Sequence, residues 1–303
     1  MNKKISKEQS QTKETFGFKW KKRDTYESEN MQKEWKRWLL EKYFDSDETN
    51  LSLLMEGGKK RILDAGCGSG GSGMLLFEKY LNTHEYVGVD ISDAVEVGKK
   101  RFKEKGYDAE FYQSDLNEIP EKLGKFDIIF SEGVLHHTDS VEKAIFNVSK
   151  HLKPNGHFLF YVYSKKAPIR EYTDDYIRSA ISELNDEDAW DEINSLTKLG
   201  EALGNLNIEI DIKEEIKFLH IPKGKINLQR LFYYKIFKCF YRNDYTLDEM
   251  NHINFDWYRP KNCHRHTPDE VRQFCSKANL EIERINIEDS GITIIAKPIL
   301  NKK

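Results

Sequence analysis

Between residues 61 and 73 the chain reads RILDAGCGSGGSG: an apolar run ends in Asp64, and five glycines follow from Gly66 to Gly73. Glycines at that density let something approach the main chain closely. Three more acids close apolar runs downstream: Asp90 in YVGVDIS, Asp115 in FYQSD and Glu132 in FDIIFSEG. A carboxylate at a strand end can accept from a pair of hydroxyls or face a cation. Two histidine pairs could remove a proton: His136 and His137 in GVLHHT, and His264 and His266 in HRHT. The H-x-H spacing also occurs in metal sites, but no carboxylate stands beside it in sequence, and no metal is expected.

The glycine loop admits three readings. A phosphate-binding P-loop needs Lys and Ser/Thr after its last glycine, and Gly73 is followed by Met74 and Leu75. A dinucleotide loop needs GxGxxG, which Gly66, Gly68 and Gly71 satisfy, and Asp90 lies near the distance of a ribose-binding acid. Asp64 argues against it, because a carboxylate aimed into the loop would repel a pyrophosphate. A ligand carrying cationic groups and no phosphate suits the loop better.

These residues need a frame. RILDAG, YVGVDIS, AEFYQSD, FDIIFSEG and GHFLFYVY read as strands, and GMLLFEKYL, DAVEVGKKRFKEKG and SVEKAIFNVSKHLKP as helices between them, the last stopped by Pro154. That alternation predicts an α/β fold, a doubly wound parallel sheet covered on both faces. TPDEVRQFCSKANL is a helix capped by Thr267, and EIERINIED with GITIIAKP forms a closing hairpin across Ser290-Gly291. Residues 1–15 are polar and read as frayed. FGFKWKKRDTYES reads as an aromatic turn, and MQKEWKRWLLEKYF as an amphipathic helix. The expected organisation is an N-terminal helical lid over 1–55, a core over 56–163 and 257–303, and a mostly helical cap inserted over 164–256, where an acceptor would bind.

Lys and Arg number 48 against 51 Asp and Glu, so the formal charge is -3 and no nucleic-acid partner is expected. The four cysteines form no CxxC pair, which fits a reducing, cytoplasmic setting. No apolar run is long enough for stable membrane insertion.

ILDAGCGSG followed by a strand ending GVDIS resembles the class I S-adenosylmethionine-dependent methyltransferases, and QSDLNEIP, FDIIFSEGVLHHTDS and LKPNGHFLFYVYS look like that family's later motifs. The likeness is to the small-molecule branch of ubiquinone and menaquinone biosynthesis. It implies a seven-stranded, Rossmann-like sheet with the last strand antiparallel, and S-adenosylmethionine as cofactor. By this resemblance Gly66, Gly68 and Gly70 pass under the cofactor's methionine part and Asp64 lies near its amino group. Asp90 would hold the ribose hydroxyls, Ile91 would face the adenine, and Ser114, Asp115 and Leu116 would border the adenine amino group. Glu132 and Gly133 would face the methionine end. Cys67, also in the loop, reads as a small filler because no base is paired with it. FGFKW, REYTDDYIR and NFDWYRPKNCHRHTPDEV resemble a bacterial family of methyltransferase-domain proteins of similar architecture.

Methyl transfer needs an aligned acceptor, excluded water and, for a hydroxyl, a base. His136, His137 and His266 are the catalytic candidates. Trp20, Arg170, Asp174, Tyr234 and His264 are candidates for the acceptor pocket. Arg170, Asp174 and Arg178, at i, i+4 and i+8, could equally form a salt-bridged solvent face. RLFYYKIFKCFYRNDY reads as an aromatic helix of the cap. The expected activity is methylation of a small molecule, at oxygen before nitrogen, by a monomer or homodimer. The alternatives are a tRNA or protein methyltransferase, or a non-catalytic cofactor-binding partner.

Overall fold

The computed structural model describes residues 5–300. Apolar runs dense in β-branched and aromatic residues form β1 (Arg61–Ala65), β2 (Glu85–Asp90), β3 (Glu110–Gln113), β4 (Phe126–Ser131) and β5 (Leu152–Tyr163), joined in parallel. Helices α4 (Gly71–Phe77), α5 (Ala94–Glu104) and α6 (Val141–Ser149) cross between them. Helix α11 (Pro268–Lys277), with a capping box on Thr267, leads into β8 (Leu280–Ile287) and β9 (Gly291–Pro298). The sheet order is β3-β2-β1-β4-β5-β9-β8, and β9, the last strand of the chain, runs antiparallel to both neighbours. Ile62, Leu63, Ile129 and Phe130 in the central strands are fully buried, because apolar clusters cover both faces of the sheet. From β1 the chain goes first to one side of the sheet and later to the other. The carboxyl ends of β1, β2 and β4 therefore flank a crevice, and Asp64, Asp90 and Glu132 stand there.

The N-terminal segment forms α1 (Lys7–Lys21), α2 (Glu29–Phe44) and α3 (Glu48–Met55), with α1 packed on α5 and α2 on α4. Two expectations are corrected here. FGFKW is the last turns of α1, and residues 7–15, read as frayed, are its beginning, with Ser6 as N-cap. The face α1 buries is polar, Gln9, Thr12, Thr15 and Lys19, so no apolar periodicity betrayed it. Residues 1–4 of that stretch lie outside the described residues.

Helix α6 ends at Ser149, not at Pro154, which falls within β5 where the register to β4 shifts between Phe126 and Ile128. A proline has no N–H for the ladder and is tolerated at such an irregularity. Between β5 and α11 lie α7 (Pro168–Ala180), α8 (Asp186–Leu206), a small hairpin of β6 (Glu209–Ile212) and β7 (Gly224–Asn227), α9 (Leu228–Leu231) and α10 (Leu247–Tyr258). The aromatic stretch expected as one helix stays helical only through a π-turn at Phe232–Ile236, and Phe237 is extended. Side chains there take over from helical bonding: Asp174 Oδ1 accepts from the Lys238 N–H at 3.0 Å, and Asn254 Oδ1 from the Phe240 N–H at 2.9 Å.

Candidate functional site

A cavity of about 270 Å³ lies over the carboxyl ends of the strands, roofed by α1 and α2 and closed at one end by α10 and the segment around Lys238. Of the residues expected to hold a cofactor, Asp64, Gly66, Cys67, Asp90, Ile91, Asp115, Leu116, Glu132 and Gly133 border it, whereas Gly68, Gly70 and Ser114 do not. Gly66 has φ +86°, and a Cβ there would fall 2.1 Å from Val134 Cγ1. At Gly68, with φ +50°, a Cβ would meet the Trp20 indole nitrogen at 2.6 Å. Gly66 thus serves close packing against the segment after β4 and Gly68 against the roof, and Gly68 contributes its N–H to Asp90 Oδ2 at 2.9 Å.

Each acid has its own support. Asp64 is buried and accepts from the Tyr86 hydroxyl; burial, against that bond, pushes its carboxyl up to about 7. Asp90 accepts from the Gly68 N–H and from the Ser92 N–H (2.8 Å) and hydroxyl (2.6 Å), while burial raises it above the usual range. Three of its roughly four lone-pair positions are taken, so holding two further hydroxyls would require the Ser92 hydroxyl to yield its place. Asp115 caps the short helix after it, its Oδ1 accepting from the Asn117 N–H at 2.8 Å and the Asn117 amide at 3.0 Å. Glu132 is bound from the roof, by Lys42 Nζ at 2.6 Å and the Tyr43 hydroxyl at 2.7 Å. Burial and the nearby carboxylates hold the Cys67 thiol well above its usual range, which suits a filler and not a nucleophile.

The other end of the cavity gathers His137, Tyr163, Asp256, Lys19 and Lys238. Asp256 is ion-paired with Lys19 and receives the Tyr163 hydroxyl at 3.1 Å. Burial opposes its charge, but Lys19 and the other nearby basic groups hold it well below the ordinary carboxylate range. His137 Nδ1 lies 2.6 Å from the Asn262 carbonyl, which can only accept, so Nδ1 carries the hydrogen and Nε2 keeps its lone pair. Nε2 has no partner among the described residues, and burial pushes the imidazole down to about 4.

Several expected site residues are placed elsewhere. His136 is fully buried behind the cavity with its ring 3.6 Å from that of Tyr163, centroid to centroid. His264 and His266 are pinned by backbone bonds, His264 N–H to the His136 carbonyl in the turn after β4 at 2.8 Å and His266 N–H to the Tyr163 carbonyl in β5 at 2.9 Å. Neither borders the cavity. Tyr234 lies in the π-turn against Tyr233, also off the cavity. Arg170, Asp174 and Arg178 form neither a pocket wall nor a solvent face, since all three are buried. Asp174 accepts from Arg170 Nε (3.0 Å), the Trp257 indole (2.8 Å) and the Lys238 N–H, with the Tyr258 hydroxyl at 2.8 Å, and so fixes the cap's inner wall. Trp20 does border the cavity, stacked on Trp35 with centroids 6.2 Å apart.

Lys19, Asp256, Lys238 and Tyr163 had not been singled out. Lys19, Asp256 and Lys238 share a signal, a lone charged residue inside an aromatic run, FKW, FDW and FKC, which the chain can hardly keep in water; Tyr163 carries no such signal.

The pattern has known counterparts. Residues 56–206 match the family described as the methyltransferase domain. The uncharacterized methyltransferase YcgJ of Bacillus subtilis is 37% identical over 101 residues, 33% of this chain and 39% of that protein. The ubiquinone biosynthesis O-methyltransferase of Rickettsia conorii is 30% identical over 119 residues, 39% of this chain and 37% of that protein. The chain thus spans under two-fifths of the length of these curated relatives. Magnesium protoporphyrin IX methyltransferase from Synechocystis PCC 6803, solved with SAH bound, shares the fold over 94% of this chain and 97% of its own, at 13% identity and a TM-score of 0.51.

Proposed function

The chain belongs, through its residues 56–206, to the S-adenosylmethionine-dependent methyltransferases, and on that premise we propose that it methylates a small-molecule acceptor at oxygen. The carrying observation is the division of one cavity into two chemistries. Asp64, Asp90 and Asp115 border one end and have no ion pair among the described residues, a set of acceptors suited to an ammonium, hydroxyls and an amino group. His137 Nε2, with its lone pair free, borders the other.

S-adenosylmethionine, when bound, supplies a methyl group on a sulfonium: the oxygen–carbon bond to the acceptor forms as the carbon–sulfur bond breaks, and the sulfonium leaves as a neutral thioether. The chain's own residues orient and deprotonate. His137 Nε2 takes the hydroxyl proton, with Asn262 fixing the tautomer. With its imidazole titrating near 4, His137 stays neutral and available as a base at physiological pH. The roof of α1 and α2 excludes water. A cavity of this size beneath a helical roof also suits a small acceptor better than a polymer.

Calorimetry with S-adenosylhomocysteine tests the cofactor half of the reading. The wild type should bind, and Asp90→Ala should weaken binding at least about tenfold, since hydrogen bonds to a charged group contribute roughly 1.5–3 kcal/mol each. Absence of binding by the wild type would sink it.

A further inference from the structure

Among the described residues, every charged side chain bordering the cavity has a partner in the fold except one. Lys19 meets Asp256, Lys42 meets Glu132, Asp64 meets Tyr86, Asp90 meets Ser92 and the Gly68 N–H, and Asp115 meets Asn117. Lys238 is 7% exposed, and its Nζ makes no hydrogen bond or ion pair among the described residues; the Trp257 ring lies 5.2 Å away. Its backbone is held on both sides, by Asp174 at the N–H and by the Tyr258 hydroxyl 2.9 Å from its carbonyl. The π-turn and the extended residues after it follow from those bonds. Buried ammonium groups are ordinarily paired, because leaving water without a counter-charge is strongly unfavourable. A fold that fixes one against a cavity without giving it an acceptor leaves that acceptor to come from the ligand.

The charge balance narrows the ligand. At this end Lys19 and Asp256 cancel and His137 is neutral, which leaves one positive charge, on Lys238. Burial brings this lysine down to about 8, so it is still mostly protonated near pH 7. Arg170 and Arg178 also lie against the Trp257 ring, but they are ion-paired with Asp174 and Asp175 and do not border the cavity, so the cavity meets a single ammonium, which matches one carboxylate better than a phosphate with its second charge and third oxygen. Phe16, Trp20, Tyr161 and Tyr163 wall the same cavity, offering flat apolar surface to a ring.

Resting on the methyl-transfer reading, we propose that the acceptor is a hydroxylated aromatic acid whose carboxylate is received by Lys238 while its hydroxyl is the methylated group. Lys238 is then the residue that selects acids over their neutral analogues.

Titration calorimetry on full-length protein saturated with S-adenosylhomocysteine, with benzoate and benzamide as probes, tests this. Benzoate should bind and benzamide should bind at least tenfold more weakly. In Lys238→Met the two should bind alike, Lys238→Arg should restore part of the preference, and S-adenosylhomocysteine affinity should stay within about twofold. Equal binding of benzoate and benzamide to the wild type, benzoate binding unchanged in Lys238→Met, or no benzoate binding at all would overturn the proposal. The wild-type comparison decides even where the methionine variant does not fold. Failure of the wild type to bind S-adenosylhomocysteine would instead strike the methyl-transfer reading beneath it.

Discussion

A carboxyl group buried at the end of β1, with one hydroxyl to support its charge, titrates near 7 before any cation arrives. The proposed function puts the ammonium of S-adenosylhomocysteine beside Asp64, where it would favour the ionised form and couple binding to loss of this proton. Affinity should be flat above about pH 7.5 and fall up to tenfold per unit below 7. Calorimetry between pH 5.5 and 8.5 should show that slope, and Asp64→Asn should abolish it. His137 makes a separate claim. Replacing it by Ala should lower kcat by about 10²–10⁴ while leaving S-adenosylhomocysteine affinity unchanged, and equal losses in both would assign it to structure. The acids were legible in sequence because each ends a short apolar run, a local pattern. Choosing between His136 and His137 was not, since adjacent residues differ only in which way the backbone turns them.

Among the elements, α1 departs furthest from its sequence reading. Its inward face is polar because it docks by hydrogen bonds: the Gln9 amide donates to the His137 carbonyl at 3.3 Å, and Thr12 Oγ1 accepts from the Asn262 N–H at 3.3 Å. A helix held this way has no apolar stripe to read. Lys19 is its anchor in the cavity wall, and removing one partner of a buried pair leaves the other charge uncompensated. Lys19→Met should therefore destabilise the protein by about 3 kcal/mol in urea unfolding, and adding Asp256→Leu should recover part of that loss. Additive losses would mean that the pair is not coupled. The same reasoning explains the misread aromatic stretch: a continuous aromatic run looked helical, and buried side chains from α7 and α10 claimed its backbone N–H groups instead.

Over the whole molecule the buried histidines give an acid-labile fold. His136, His137 and His252 are all pushed below the ordinary imidazole range by burial, His137 to about 4. The unfolded chain takes up these protons near 6.5 and the folded protein does not, so stability falls as pH drops through 6.5 toward the folded values. Asp64 works the other way, because its folded form takes up a proton near 7, well above its unfolded value. His157, His264 and His266 are lowered as well and Asp90 is raised like Asp64, so the histidines outnumber the carboxyls six to two and the net effect is a loss of stability between pH 6.5 and 5.5. The urea midpoint should be clearly lower at pH 5.5 than at 6.5, and an unchanged midpoint would count against the buried neutral state of these rings.

The order of strands and helices, the glycine loop and the acids around it are set by patterns a few residues long, and these determined the core and the acid-lined end of the cavity from sequence alone. The opposite end joins residues 19, 137, 163, 238 and 256, brought together only when α1, β5 and the inserted cap close on one another. No local pattern encodes that meeting. Sequence carries its trace in lone charges set among aromatics, but which of them find partners, and that Lys238 finds none among the described residues, is decided by tertiary packing.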